Sequence, residues 1–302
     1  MTSANGPAMT RDEFDAFFRQ LRRAHLPGPV EAGRRVAAAG LVRKGEVVAM
    51  GRPWDSVPGP DNPRPALHQM TELADVTAPE PTVHRDFIGS DYHGKAQTHL
   101  DALCHIAYGG LLFAGVRARE VFSSQGATYG AVTDLLPGLV GRGVLLDVPR
   151  LRGTDWLEPG EAIGGSELLV CAEEQGSPLH PQDILLVRTG HLARRRRLGA
   201  WDPDDLSAGL HPGAMRTLSE SRASALGSDG DNDVRPSPVD GVRSPVHVLA
   251  ITALGLSLID NLDLEPLAEA CARTSRWEFL LVVAPLNIPR GTGSPVNPLA
   301  VL

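Results

Sequence analysis

Lys95-Ala96-Gln97-Thr98-His99-Leu100-Asp101-Ala102-Leu103-Cys104-His105 is the stretch that decides how the rest of the chain is understood. Three groups able to bind a metal or carry a proton, His99, Asp101 and His105, stand here among small and apolar residues, as in a segment entering a core. His99 and Asp101 are two apart, so in an extended segment both side chains point to one face. A carboxylate beside an imidazole suits a divalent ion such as zinc or manganese. His105 follows four residues later, near enough to carry a proton rather than to serve as a third ligand. A lone histidine in this setting would be read as a buried polar group satisfied by backbone; the trio favours a site.

Composition bounds what such a site can serve. The chain has 302 residues and a net charge of −7. That length can bury a full core, and the charge argues against nucleic acid as a partner. The one basic run, Arg194 to Arg197, reads as the solvated end of a helix. Cys104, Cys171 and Cys271 form no CxxC pair and no disulfide framework, which fits a reducing compartment. Cys104 lies inside the opening stretch but reads as a small packing residue rather than a nucleophile. The strongest apolar run, Phe279 to Ala284, is too short to span a bilayer and reads as a buried strand. With no leader signature at the start, a cytoplasmic protein with no membrane partner is expected.

Elements follow from periodicity. Residues before Pro7 read as a frayed tail. Thr10 and Glu13 make a capping box, after which Phe14, Phe17, Phe18 and Leu21 recur at helical spacing. That aromatic stripe requires cover from its own domain or from a neighbouring subunit. Further helices are expected over Val30–Ala39, Gly130–Leu136, Gly165–Gln175, Gly213–Arg222 and Leu264–Arg273. Strands are expected at Val47–Met50, Phe87–Tyr92, Val144–Val148, Ile184–Arg188 and Phe279–Val283. Strands alternating with helices give an α/β domain. Gly227 to Ser244, rich in Asp, Gly, Ser and Pro, reads as an exposed loop able to act as a lid. Its aspartates do not make an EF-hand, which needs Gly where Val234 stands and Glu where Asp240 stands.

The motif resembles that of the cyclase or kynurenine-formamidase-like family of metal-dependent hydrolases, whose usual form is His-x-Gly-Thr-His-x-Asp-x-Pro-x-His. Thr98, His99, Asp101 and His105 fall on its Thr, second His, Asp and last His. Lys95 stands where the first metal-binding histidine is usual, Gln97 replaces the glycine and Leu103 the proline. A longer-chain branch also varies this start and continues Asp-Ala-Leu-x-His, as here. Arg142–Val148, Gln182–Gly190, His247 with Asp260–Leu264, Phe279–Leu286 and Gly293–Pro298 extend the resemblance over about residues 85–302.

The resemblance implies a mixed-sheet or flattened β-barrel core with surrounding helices, with residues 1–84 as an N-terminal arm and 85–302 as the catalytic part of one continuous unit. It implies one divalent metal, zinc or manganese, held by His99, Asp101, His247 and Asp260. On sequence alone Asp260 reads equally as the N-cap of a following helix, and His247 reads as lying at a strand end. His93 could replace the missing ligand if the chain bends there. Lys95 beside the metal would be held at a lowered pKa; alternatively it projects away and pairs with a substrate carboxylate or a nearby Asp, and the substrate-facing role is favoured. His105 would move a proton to and from water activated by the metal. The expected activity is hydrolysis of an amide, lactam or lactone in a small aromatic or cyclic molecule, Trp54, Trp156 and Trp201 being candidates to line an aromatic pocket. Two other classes fit: a metal-independent cyclase or dehydratase using Lys95 and His105, and a binding protein that lost its chemistry. A homo-oligomer is expected, with the N-terminal helix at the contact.

Overall fold

The computed structural model describes residues 7–22, 30–75, 77 and 79–302; the tail before Pro7 lies outside them. Nine strands form one sheet, in the spatial order Val47–Ala49, Leu299–Val301, Glu278–Val283, Leu139–Asp147, Ile184–Arg188, Ala225–Ser228, Ser257–Asp260, His99–Asp101 and Gly293–Pro295. The four strands from Leu139–Asp147 to Ser257–Asp260 run parallel. Every other pairing in this sheet is antiparallel. The sheet curls into a half-barrel with helices around it, as expected.

The apolar runs explain why the parallel strands occupy the centre. Ile184 to Val187 are all buried with no alternation, the signature of a strand covered on both faces. Successive side chains point to opposite faces, and the core divides accordingly. Val144, Leu146, Leu185, Val187, Leu226 and Leu258 join one cluster, with residues of helices Gly165–Glu174 and Ala214–Ser221. Leu145, Ile184, Leu186, Ala225 and Ile259 join the other, with helix Glu265–Thr274.

The N-terminal helix, Arg11–Leu21, starts at the expected capping box. Its stripe belongs to the first cluster, with the Phe14 and Phe18 rings 5.6 and 4.9 Å from that of Tyr108. The stripe is thus covered by its own chain. Val47–Ala49 pairs with Leu299–Val301, so the N-terminal segment is also tied to the C-terminal edge of the sheet.

Several expectations are corrected. The first half of the stretch 227–244 is not an exposed loop: Ser228, Asp229, Asp231, Asn232, Asp233, Val234 and Arg235 are all buried, and exposure returns only from Pro236 onward. Its aspartates are matched by donors from elsewhere in the fold. Asp229 accepts from the Thr189 N–H and hydroxyl (both 2.8 Å), the Gly190 N–H (2.8 Å) and the His191 N–H (3.1 Å). Gly190 is needed there, because it is left-handed and a Cβ would sit 2.7 Å from Trp156 Cα. His247 lies not at a strand end but in helix Pro245–His247, which continues as a buried π-helical turn, Val248–Leu254. Ser244-Pro245 starts it, with proline at the first helical turn where its missing N–H costs nothing. Asp260 caps no helix, since Glu265–Thr274 starts after Leu264. Gly130–Leu136 yields only a 3₁₀ turn, Val132–Leu135. Arg194 to Arg196 are ion-paired with Glu158, Asp61 and Asp263 rather than simply solvated. No helix among the described residues is long and apolar enough to cross a membrane.

A candidate metal centre at the strand ends

Asp260 ends the last parallel strand and pairs in register with His99 across the antiparallel junction. The carboxyl ends of parallel strands are where open α/β sheets place their ligands. Asp101, two residues beyond His99, is completely buried. Among the described residues neither of its carboxylate oxygens has a hydrogen-bond partner, which is costly for a buried charge unless a cation supplies the missing contact.

Four imidazoles surround that carboxylate. His93 Nδ1 is 3.0 Å from Asp101 Oδ1, His99 Nε2 3.5 Å and His105 Nε2 3.9 Å from the same oxygen, and His247 Nε2 3.6 Å from Oδ2. Asp260 Oδ2 lies 3.7 Å from His99 Nε2 and 3.2 Å from His247 Nε2, while its Oδ1 accepts from Asn232 Nδ2 at 2.5 Å. Two sets of atoms are close enough to share an ion: His93, Asp101 and His105, and His99, Asp101 and Asp260.

Three of the four rings are held from behind. His99 Nδ1 lies 3.0 Å from the Gln97 carbonyl; a carbonyl only accepts, so Nδ1 carries the proton and Nε2 presents a lone pair. His93 Nε2 meets the Thr292 hydroxyl at 2.9 Å. His247 Nδ1 meets Asp233 Oδ2 at 2.6 Å, and Asp233 also accepts from the N–H groups of Val246 and His247. Outer partners of this kind orient metal-binding histidines and fix their tautomer. Among the described residues His105 has no such anchor; its ring stacks on His93, with centroids 3.8 Å apart and planes 3° from parallel.

Charge in the cluster follows from burial and neighbours. Burial alone would raise the Asp101 carboxyl, but His105, His93, His99 and His247 hold it well below the usual carboxylate range. Burial pushes His105 down to about 4, against the pull of Asp101, so its imidazole is neutral at pH 7. Burial also opposes charge on His247, yet Asp260 and Asp233 outweigh it and raise that pKa well above the ordinary value. Burial pushes the Cys104 thiol up to about 11, consistent with a packing residue.

The sequence-derived residues therefore converge, with two changes. His93 joins the cluster through a turn before Gly94. Lys95 points the other way, donating to buried Asp231 and lying 3.3 Å from Asp204 Oδ1. Burial draws its pKa down, but Asp231 and Asp204 carry it above the ordinary value, contrary to the lowered pKa expected beside a metal. His93, Lys95, Gln97, Asn62, Arg235 and Ser244 line a cavity of about 330 Å³. No aromatic side chain among the described residues lines it: Trp54 faces a separate cleft with Arg52, Trp156 a third with Arg188, and Trp201 packs on His191.

Comparison with known proteins places the fold. A family model described as a putative cyclase matches residues 90–232. A solved structure described as a novel cyclase is 31% identical, covering 90% of this chain and 92% of that one, with a TM-score of 0.80. The fold is shared with an isatin hydrolase bound to the product analogue thioisatinate (19% identity, 90% and 99% coverage, TM-score 0.60). It is also shared with isatin hydrolase A from Ralstonia solanacearum (20% identity, 92% and 99% coverage, TM-score 0.58). No curated protein matches the chain in sequence.

Proposed function

The chain belongs to the putative cyclase family, and on that premise we propose that it is a metal-dependent hydrolase of an amide, lactam or lactone bond in a small molecule. The observation that carries this reading is Asp101, a buried carboxylate with no protein donor on either oxygen and four imidazoles around it. That donor set fits a divalent ion such as zinc or manganese. His99, Asp101 and Asp260 would hold it, with His93 in the place opened by Lys95 and His247 braced beside Asp260. A divalent ion supplies water of near-neutral pKa and a polarised carbonyl.

The remaining chemistry belongs to the side chains. His105, neutral and unanchored, accepts a proton from the attacking water and returns it to the leaving nitrogen or oxygen. Thr292, the Gln97 carbonyl and Asp233 keep the other three rings turned toward Asp101. Lys95, kept charged by Asp231 and Asp204, is poorly suited to act as the base of a metal-independent cyclase or dehydratase. The isatin hydrolases that share this fold support hydrolysis. The polar cavity lining does not support an aromatic substrate.

The test is elemental analysis of the purified protein with an anomalous-scattering map, alongside turnover of N-acyl arylamines and cyclic amides. One zinc or manganese per chain and chelator-sensitive hydrolysis are expected. His93→Ala should weaken metal binding about tenfold or more, at or above the effect of removing an orienting neighbour. Unchanged metal affinity in that variant would remove His93 from the ligand set, and failure to take up any divalent metal would end the reading.

We also propose a homo-oligomer, with a different contact from the N-terminal helix. The hairpin Leu67–Glu72 with Arg85–Gly89 is exposed along almost its whole length and carries Leu67, Met70, Phe87 and Ile88 outward. A two-stranded hairpin is marginal by itself, and an apolar surface of this kind marks an interaction site. Light scattering at micromolar concentration should give a dimer or larger, and Phe87→Glu with Ile88→Glu should shift it toward monomer. A wild-type monomer would exclude the proposal.

A further inference from the structure

One wall of the cavity beside His93 gathers three cations around two carboxylates of different standing. Asp231 is buried, and its Oδ2 takes Lys95 Nζ, Arg235 Nε at 3.2 Å and Arg235 Nη2 at 2.6 Å. Arg235 is itself buried and is further fixed by the Ser244 hydroxyl and the Arg243 carbonyl. This pair belongs to the framework. Asp204 does not: its side chain is 43% exposed and sits in a surface turn closed by its own N–H on Asp202 Oδ1. Yet one oxygen of Asp204 lies 3.3 Å from Lys95 Nζ, 3.2 Å from Arg243 Nη2 and 4.0 Å from Arg235 Nε.

We propose that Lys95, Arg235 and Arg243 form a carboxylate-recognition site at the cavity mouth, and that Asp204 is an internal stand-in which the carboxylate of the substrate displaces. The inference rests on the hydrolase reading and deepens it: the substrate is an amide, lactam or lactone that also carries a carboxylate. An exposed ion pair such as that of Asp204 contributes little, so its rotation into solvent opposes binding only weakly. With Asp204 turned out, Asp231 is the one carboxylate among the described residues left within 4.0 Å of these three cations, and a second anion there would be matched by positive charge. Arg243, paired only with Asp204 among the described residues, can match a carboxylate with paired, charge-assisted hydrogen bonds, which are the stronger ones, while Lys95 and Arg235 stay on Asp231 and add positive charge beside it.

Further into the cavity, Gln97 supplies a buried amide whose Nε2 has no protein partner among the described residues. Gln97 stands two residues before His99, so this amide can donate to a carbonyl of the ligand next to the metal ligands. The cavity volume is at the small end for ligand pockets. A compact molecule with its acid at one end and its reacting carbonyl at the other fits that space.

The test is calorimetric binding of succinamate against succinamide, which share a carbon chain and differ in carboxylate against carboxamide. For the full-length protein as purified, succinamate should bind about tenfold tighter than succinamide, the size of one charge-assisted contact. Arg243→Ala should abolish that preference by weakening succinamate about tenfold. Asp204→Ala should tighten succinamate several-fold, a gain that a misfolded variant cannot produce. Equal affinity for the two probes, no binding of succinamate, or no gain in Asp204→Ala overturns the proposal. Because binding is read without turnover, failure of the hydrolase assignment leaves this result standing, and the reverse also holds.

Discussion

Asp101→Asn should leave the protein folded and strip it of metal, lowering turnover by about 10³-fold or more. The size follows from what a divalent ion contributes, several kcal/mol of charge stabilisation in the transition state, at about 1.4 kcal/mol for each tenfold in rate. Asparagine preserves the shape of the side chain and removes its charge. The group replaced is completely buried, without a hydrogen bond on either oxygen, and lies within 3.9 Å of all four imidazoles. Elemental analysis after dialysis checks the first half of the expectation, and steady-state rates check the second. A structural account of the same cluster expects the opposite pattern. If Asp101 served only as counter-ion to the histidines, its neutralisation would leave imidazolium groups buried and unpaired, at about 3–5 kcal/mol of stability. A variant that keeps its metal and loses that much stability in a denaturant titration would make Asp101 an internal ion pair.

How far this site could be read from the chain depends on how local each part is. His99 and Asp101 share one short strand, so their spacing alone places both at the same end of the sheet. Two of the four central strands are legible for a similar reason, because an unbroken apolar run such as Ile184–Val187 has few alternatives to a strand covered on both faces; Ala225–Ser228 and Ser257–Asp260 are not among the expected strands. Asp229, Asp231 and Asp233 were not legible. Aspartates among glycine and serine have the composition of a solvated loop, and what buries them comes from far along the chain. Lys95 reaches Asp231 across 136 residues, and Thr189 reaches Asp229 across 40. His247 was misplaced because its apolar surroundings outweighed Ser244-Pro245, the helix-start signal beside it. His93 is out of step with the motif, and only the turn through Gly94 returns it to Asp101. The aromatic stripe of the first helix was read correctly as needing cover, but periodicity does not say whether that cover comes from the same chain.

His105 separates the two roles a histidine can have in this cluster, and His105→Ala is the variant that reads them. Its Nε2 is 3.9 Å from Asp101 Oδ1, close enough to count with His93 and Asp101 as a set that could share an ion. Against a ligand role stands its lack of an outer partner. His93 and His99, the histidines assigned to the metal, are held by a hydroxyl and a carbonyl, as orientation toward a metal requires. A proton carrier needs the reverse: a neutral ring that is not tied by an outer partner and that solvent can reach. His105 meets these conditions, with its pKa pushed down to about 4 by burial and its side chain still 25% exposed. His105→Ala should therefore lower turnover by about 10²–10⁴-fold, the usual scale for general acid–base catalysis, with metal content unchanged. Single-turnover rates and elemental analysis on the same preparation decide between the roles. If metal is lost together with activity, His105 is a ligand, and the proton must be carried by another group facing the cavity.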